Sequence, residues 1–175
     1  MALYHGAWLR LWAGRAEELK ALSEEGLTLC RELSFHFYAV TQEFNVAAVP
    51  LLSANATVDQ LETFVTTLRA ALTLHLGAGS GVFLSKMYFL AADALRRLGR
   101  LDEAQAEIDK GFQHQERSGE RFCDADLHRL QAEVHFARGD RTAAEQSLAT
   151  AIQIATAQQA KTWLARAAET RSRWV

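Results

Sequence analysis

Proline is nearly missing from this chain: Pro50 is the only one in 175 residues. Helix interiors and central strands both exclude proline. The alternating apolar/polar runs and the Asn-Gly or Asp-Gly turns that mark strands and hairpins are absent too. Ala and Leu dominate what remains, so the composition points to an all-α protein. Cysteine is scarce. Cys30 and Cys123 stand far apart, with no CxxC and no Cys/His cluster, which argues against a zinc site or a disulfide framework. Both read as buried thiols of a reducing cytosol. No charge of one sign prevails, because 19 Lys+Arg face 21 Asp+Glu. A dedicated nucleic-acid binder carries a clear basic excess. No apolar run reaches the roughly 18 residues of a membrane-spanning helix, and no basic-then-apolar leader opens the chain. The expected location is cytoplasmic.

Against these absences stands a repeat. Leu98-Gly99-Arg100-Leu101-Asp102-Glu103-Ala104 is echoed 40 residues on by Arg138-Gly139-Asp140-Arg141-Thr142-Ala143-Ala144. Each Gly follows one amphipathic helical pattern and precedes another, which suits a left-handed helix C-cap. The acids after it suit the first turn of the next helix. Twelve residues after Gly14, Gly99 and Gly139 comes a small residue and then a large one: Gly26-Leu27, Gly111-Phe112 and Ala151-Ile152. Ala71-Leu72 is a further copy. The small residues fall at 26, 71, 111 and 151, and the longer first spacing places five extra residues in the 53–58 loop. Ala7, Ala92 and Ala132 lie seven residues before the three glycines, and Ala104 and Ala144 five after the last two. Leu19 takes that place in the first unit, an imperfection common at solenoid ends.

The periodicity predicts helices over 2–13, 15–33, 36–53, 57–76, 81–98, 102–117, 122–138, 140–157 and 161–173. Turns fall at Gly14, Ser34, Asn55, the Gly77-Ala78-Gly79-Ser80-Gly81 run, Gly99, Ser118-Gly119, Gly139 and Gln159. Pro50 should kink or end the third helix early. The expected fold is a right-handed α-solenoid of about four antiparallel hairpins with a unit of about 40 residues. The chain reads as one repeat domain over 1–175, with repeats near 1–34, 35–79, 80–119 and 120–159 and a capping helix over 160–175. That last helix carries Trp163, Leu164, Ala167 and Trp174 to cover the final hairpin. Its Lys161, Arg166, Arg171 and Arg173 against Glu169 read as a solvated face with cations near the C-terminus.

These residues resemble the tetratricopeptide pattern, with Tyr88, Ala91, Ala92, Leu95, Gly99, Leu101, Ala104, Ile108 and Gly111 filling its positions. The lengthened unit is similar to the C-terminal repeat region of bacterial multidomain proteins. Those carry a signal-transduction ATPase, often with a nucleotidyl cyclase, kinase or winged-helix domain ahead of it. The stretches Gly119–Phe122, Asp126–Leu130, Ala137–Asp140, Ala143–Glu145 and Ala149–Ile152 carry the resemblance most specifically. It implies a sensor or protein-interaction arm and a C-terminal fragment of a larger signalling protein.

Catalytic or metal chemistry finds no footing. The glycine run lacks a preceding strand and a following P-loop Lys, so it reads as a turn rather than a phosphate cradle. His36 stands alone, and His5, His75 and His114 fall in different repeats. His128 and His135 share a helix face about 10 Å apart, with Gln131 and Ala132 between them. No acid/base pair and no GxSxG elbow is found, so no enzyme, cofactor or metal is expected.

What remains is a surface. In such arrays the first helix of each hairpin lines the groove. The expected groove residues are Tyr4, Trp8, Leu11, Asn45, Val49 and Leu52, then Lys86, Phe89, Asp93 and Arg96, then Asp126, Arg129, Glu133 and Phe136. A groove apolar at one end and charged at the other suits a peptide of the same polarity. The leading expectation is a non-catalytic interaction or sensor module that binds a protein or its own upstream domains. The alternatives are a small-molecule sensor with its effector in the groove, and a homodimerisation element closed through the N-terminal apolar face.

Overall fold

The computed structural model describes residues 2–79, 81 and 83–174, with the side chain of Ala2 left aside. The described residues form nine α-helices and no strand: α1 (Ala2–Ala13), α2 (Ala16–Glu32), α3 (His36–Ala48), α4 (Val58–Gly77), α5 (Leu84–Arg97), α6 (Leu101–Ser118), α7 (Asp124–Ala137), α8 (Arg141–Ala157) and α9 (Lys161–Ser172). No helix among them is long and apolar enough to cross a membrane. α3 stops at Ala48 and a 3-10 turn carries Pro50 at its start, where its missing N–H costs nothing. α5 and α7 begin later than the periodicity suggests. Phe83 takes a left-handed conformation (φ 64°) just before α5, and Phe122 and Cys123 belong to the turn before α7. Ser80, expected in the glycine-rich turn, and Val82, expected at the start of the fifth helix, lie outside the described residues.

One turn is built five times. Gly14, Ser34, Gly99, Gly139 and Gln159 are all left-handed, with φ of 72°, 57°, 74°, 84° and 53°. After each, the next N–H reaches back to the carbonyl five residues earlier: Arg15 to Arg10, Phe35 to Cys30, Arg100 to Leu95, Asp140 to His135 and Ala160 to Ala155, at 2.8–3.0 Å. This is the Schellman closure of a helix C-terminus. The donor residue is also the N-cap of the following helix, with φ from −91° to −85° and ψ from 64° to 82° in all five turns. Left-handed residues recur at 79, 99, 119, 139 and 159, twenty apart, and at 14 and 34 with the same spacing. A left-handed residue thus ends each half of the 40-residue unit in the second part of the chain.

Packing divides the chain into two compact units, residues 1–80 and 81–175. In the first, α1 packs on α2, α2 on α3 and α3 on α4, and α1 also touches α3. In the second, α5 to α9 follow the same sequential order, with α5 also on α7 and α7 on α9. The recurrent small residues are what lets the helices approach. Ala7, Ala71, Ala92, Ala104, Ala132, Ala144 and Ala151 are all fully buried. A Cβ on Gly111 would stand 3.1 Å from both Leu127 methyls. Ala167 of α9 closes a cluster with Ala132 and Leu148, and Trp174 packs against it.

Candidate functional site

In the second unit the eight expected groove residues come together on α5 and α7, and their charges are satisfied internally. Asp126, 1% exposed, faces three cations. Lys86 Nζ lies 3.6 Å away, Arg129 Nε 3.0 Å and Arg166 Nη1 3.0 Å. Glu133 receives Arg129 Nη1 at 2.6 Å, Arg173 Nη2 at 2.7 Å and Arg96 Nε at 3.1 Å, and the Thr170 hydroxyl donates to it at 3.0 Å. Asp93 pairs with Arg96 and Arg97. The buried ammonium of Lys86 also sits over Phe89 and Trp163, at 4.2 and 5.7 Å from the ring centres. Burial pushes the Asp126 carboxyl up, but Arg129, Lys86 and Arg166 outweigh it and hold the group below the usual carboxylate range. Phe136 stacks on Trp174 at 4.7 Å, and the Arg141 guanidinium lies 5.2 Å from its ring centre.

Two partners in this network, Arg166 and Thr170, come from α9, and a third, Arg173, is its C-cap residue. Lys161, Arg171 and Arg173 are exposed, as expected of a solvated basic face, whereas Arg166 is half-buried. The arginines also meet carboxylates of the preceding helices. Arg166 and Arg173 neutralise carboxylates of α7, and Arg171 reaches Glu145 of α8 at 3.3 Å. The carboxylates that need them are about 40 residues upstream, a distance at which helical periodicity carries no signal. Glu120, in the turn before α7, was also invisible as a working residue. It accepts from the backbone N–H of Phe83 (2.7 Å) and Ser85 (3.3 Å) and from the Ser85 hydroxyl. It thereby closes the start of α5, whose own N-cap residue offers no side-chain acceptor.

The first unit is organised differently. Trp8, Leu11 and Asn45 are core residues rather than groove walls. The face that α1 and α3 share is filled by an aromatic run: Tyr4 to Tyr38 at 5.4 Å, Trp8 to Phe44 at 5.6 Å and Phe44 to Phe64 at 5.7 Å. Tyr4, Val49 and Leu52 are half-buried. The large exposed apolar side chains among the described residues all belong to this unit: Leu9, Leu29, Leu33, Phe35, Val58 and Leu76. Leu29, Leu33 and Phe35 follow one another at the end of α2 and into its turn, the last two 51% and 54% exposed.

Beside them opens a cavity of about 380 Å³ between α1, α2 and α3. Leu3 and Tyr4 come from α1, Gly26, Leu29 and Cys30 from α2, and Tyr38 and Gln42 from α3, with Phe35 at the turn. Gln42 is 1% exposed. Asn45 Nδ2 donates to its Oε1 at 3.3 Å. A Cβ on Gly26 would stand 2.8 Å from Gln42 Nε2, so the glycine makes room for this amide. Ser23 Oγ and Asn45 Oδ1 are buried nearby in sequence without a partner. The Gly26-Leu27 pair is visible in the sequence as a packing position, but nothing there marks Gln42. A second cavity, about 370 Å³, lies among Phe136, Arg141, Glu145, Arg171 and Trp174 in the other unit.

The remaining reactive groups are held quiet. Burial pushes the Cys123 thiol up to about 12, so it is no thiolate nucleophile at neutral pH. Burial lowers the pKa of His75, which lies 3.3 Å from the Thr41 hydroxyl, and that of His128, which packs on Phe112. Among the described residues, no three His, Cys, Asp or Glu side chains are grouped as a metal would require. No protein-family model matches the chain, and no curated protein matches it.

Proposed function

We propose that this chain is a non-catalytic helical-repeat module, a right-handed α-solenoid of about four hairpins and a closing helix, which docks a protein partner on its first unit. The solenoid reading is supported by the twenty-residue recurrence of left-handed turn residues and by five turns of one geometry. Contacts between α1 and α3, α5 and α7, and α7 and α9 also support stacked hairpins. The docking reading is carried by one observation. The large exposed apolar residues of the described chain are confined to the first unit, whereas the charges facing α5, α7 and α9 are consumed by one another. Contiguous exposed apolar residues mark interaction surfaces. The partner is a separate protein or an upstream part of a longer signalling polypeptide, and the setting is cytoplasmic.

A photo-crosslinking residue at position 35, with Gln153 of the second unit as the control position, tests this in the native host. The expected result is one discrete crosslinked species at 35 and none at 153. Adduct formation at 153 alone would overturn the reading. A crosslink from 35 to a second copy of the chain would replace the separate partner with a homodimer. The cavity beside Phe35 favours a second reading, a small-molecule sensor.

A further inference from the structure

We propose that the cavity between α1, α2 and α3 binds a small neutral molecule, apolar over most of its surface and carrying one hydrogen-bond acceptor to which Gln42 Nε2 donates. The site goes beyond the docking reading and does not require it. Protein interiors leave few voids larger than a water molecule, and about 380 Å³ falls within the range of ligand pockets. Its walls define the ligand class. Leu3, Leu29 and Phe35 are apolar, and Tyr4 and Tyr38 meet edge to face at 83°, a surface suited to a flat ring. Among the described residues, no Asp, Glu, Lys, Arg or His lines the space. A charged ligand would lose its hydration there with no counter-ion to replace it.

The polar contribution comes from Gln42. Its oxygen is taken by Asn45, and its Nε2 has no hydrogen-bond partner among the described residues. A donor left open to the cavity in that state can pair with any ligand that brings an acceptor. Gly26 keeps the donor available, because a side chain there would collide with the amide. A glycine inside a 17-residue helix is otherwise unfavourable. A mostly apolar pocket with a few placed polar groups is the usual form of a small-molecule site.

The probe is 6-propionyl-2-dimethylaminonaphthalene, a neutral fluorophore with one ketone acceptor whose emission moves to the blue on leaving water. The whole chain is titrated with it, with its ketone-free ethyl analogue, and with the anionic 8-anilinonaphthalene-1-sulfonate. The ketone should bind saturably, one per chain, and more tightly than the sulfonate. Gln42→Leu should weaken the ketone about tenfold and leave the ethyl analogue unchanged. Leu29→Trp, a replacement at the exposed rim, should weaken both by occupying the cavity, and it carries the test if Gln42→Leu does not fold. Equal binding of all three dyes to the parent and both variants would overturn the proposal by showing a merely adhesive surface. So would the absence of saturable binding. The assay contains no partner protein, so failure here leaves the docking reading standing, and failure of the crosslink leaves this site standing.

Discussion

The turn residues carry a cost that their identity decides. Gly99 and Gly139 sit at φ of 74° and 84°, where a Cβ is strained although open space surrounds it. Gly139→Ala should therefore lose about 1 kcal/mol. Gln159 already bears a side chain at φ 53°, so Gln159→Gly should be neutral or slightly stabilising. Urea denaturation of the two variants gives opposite signs if the left-handed geometry is the cause; losses of the same size in both would refute it. Asp126 makes a different residue-scale statement. Its folded pKa is depressed, so the stability it contributes is complete above about pH 4, its unfolded value. That contribution is lost as pH falls through the lower folded value. Asp126→Asn should cost roughly 3–5 kcal/mol at neutral pH, because Lys86, Arg129 and Arg166 lose their buried counter-charge. It should also flatten the fall in Tm below pH 4. A variant whose acid limb stays as steep as the parent's would contradict the assignment.

At the scale of elements, most helices were legible because two local signals agree at their ends. Apolar periodicity stops, and a residue tolerant of left-handed backbone follows. Where one signal was missing, the boundary moved: α5 starts at Leu84 because Phe83 takes the left-handed turn, a conformation no sequence rule assigns to Phe. The role of α9 was half legible. Its apolar residues announced a cover for the last hairpin, but its arginines gave no hint of the α7 carboxylates they neutralise. Ending the chain after residue 160 removes Trp163, Arg166, Thr170, Arg173 and Trp174 together. The second unit should then lose at least ~3 kcal/mol, since Asp126 and Glu133 each forfeit a cation. Chemical denaturation followed by far-UV circular dichroism reads this directly, and an unchanged midpoint would mean that α9 is an ornament on a self-sufficient α5–α8 body.

At the scale of the molecule, one repeating step gives two units with different surfaces. The groove register in the sequence found residues that do meet in the second unit, yet it took them for a charged surface open to a partner. Charge balance explains the difference. Three acids on α5 and α7 already face the lysine and arginines of α5, α7, α9 and the α9 C-cap, and such a network leaves little for a ligand. In the first unit the register marked Trp8, Leu11 and Asn45, which are buried, and it did not mark Leu33, Phe35 or Gln42, on which the proposals rest, because exposure and an open amide are tertiary properties. The account therefore stands or falls on where binding occurs. Hydrogen–deuterium exchange of the chain alone and in its complex from the native host tests this most directly. The account predicts new protection over residues 26–42 and none over 124–137 or 161–172. Protection gained on the α5, α7 and α9 segments, with residues 26–42 unchanged, would contradict it.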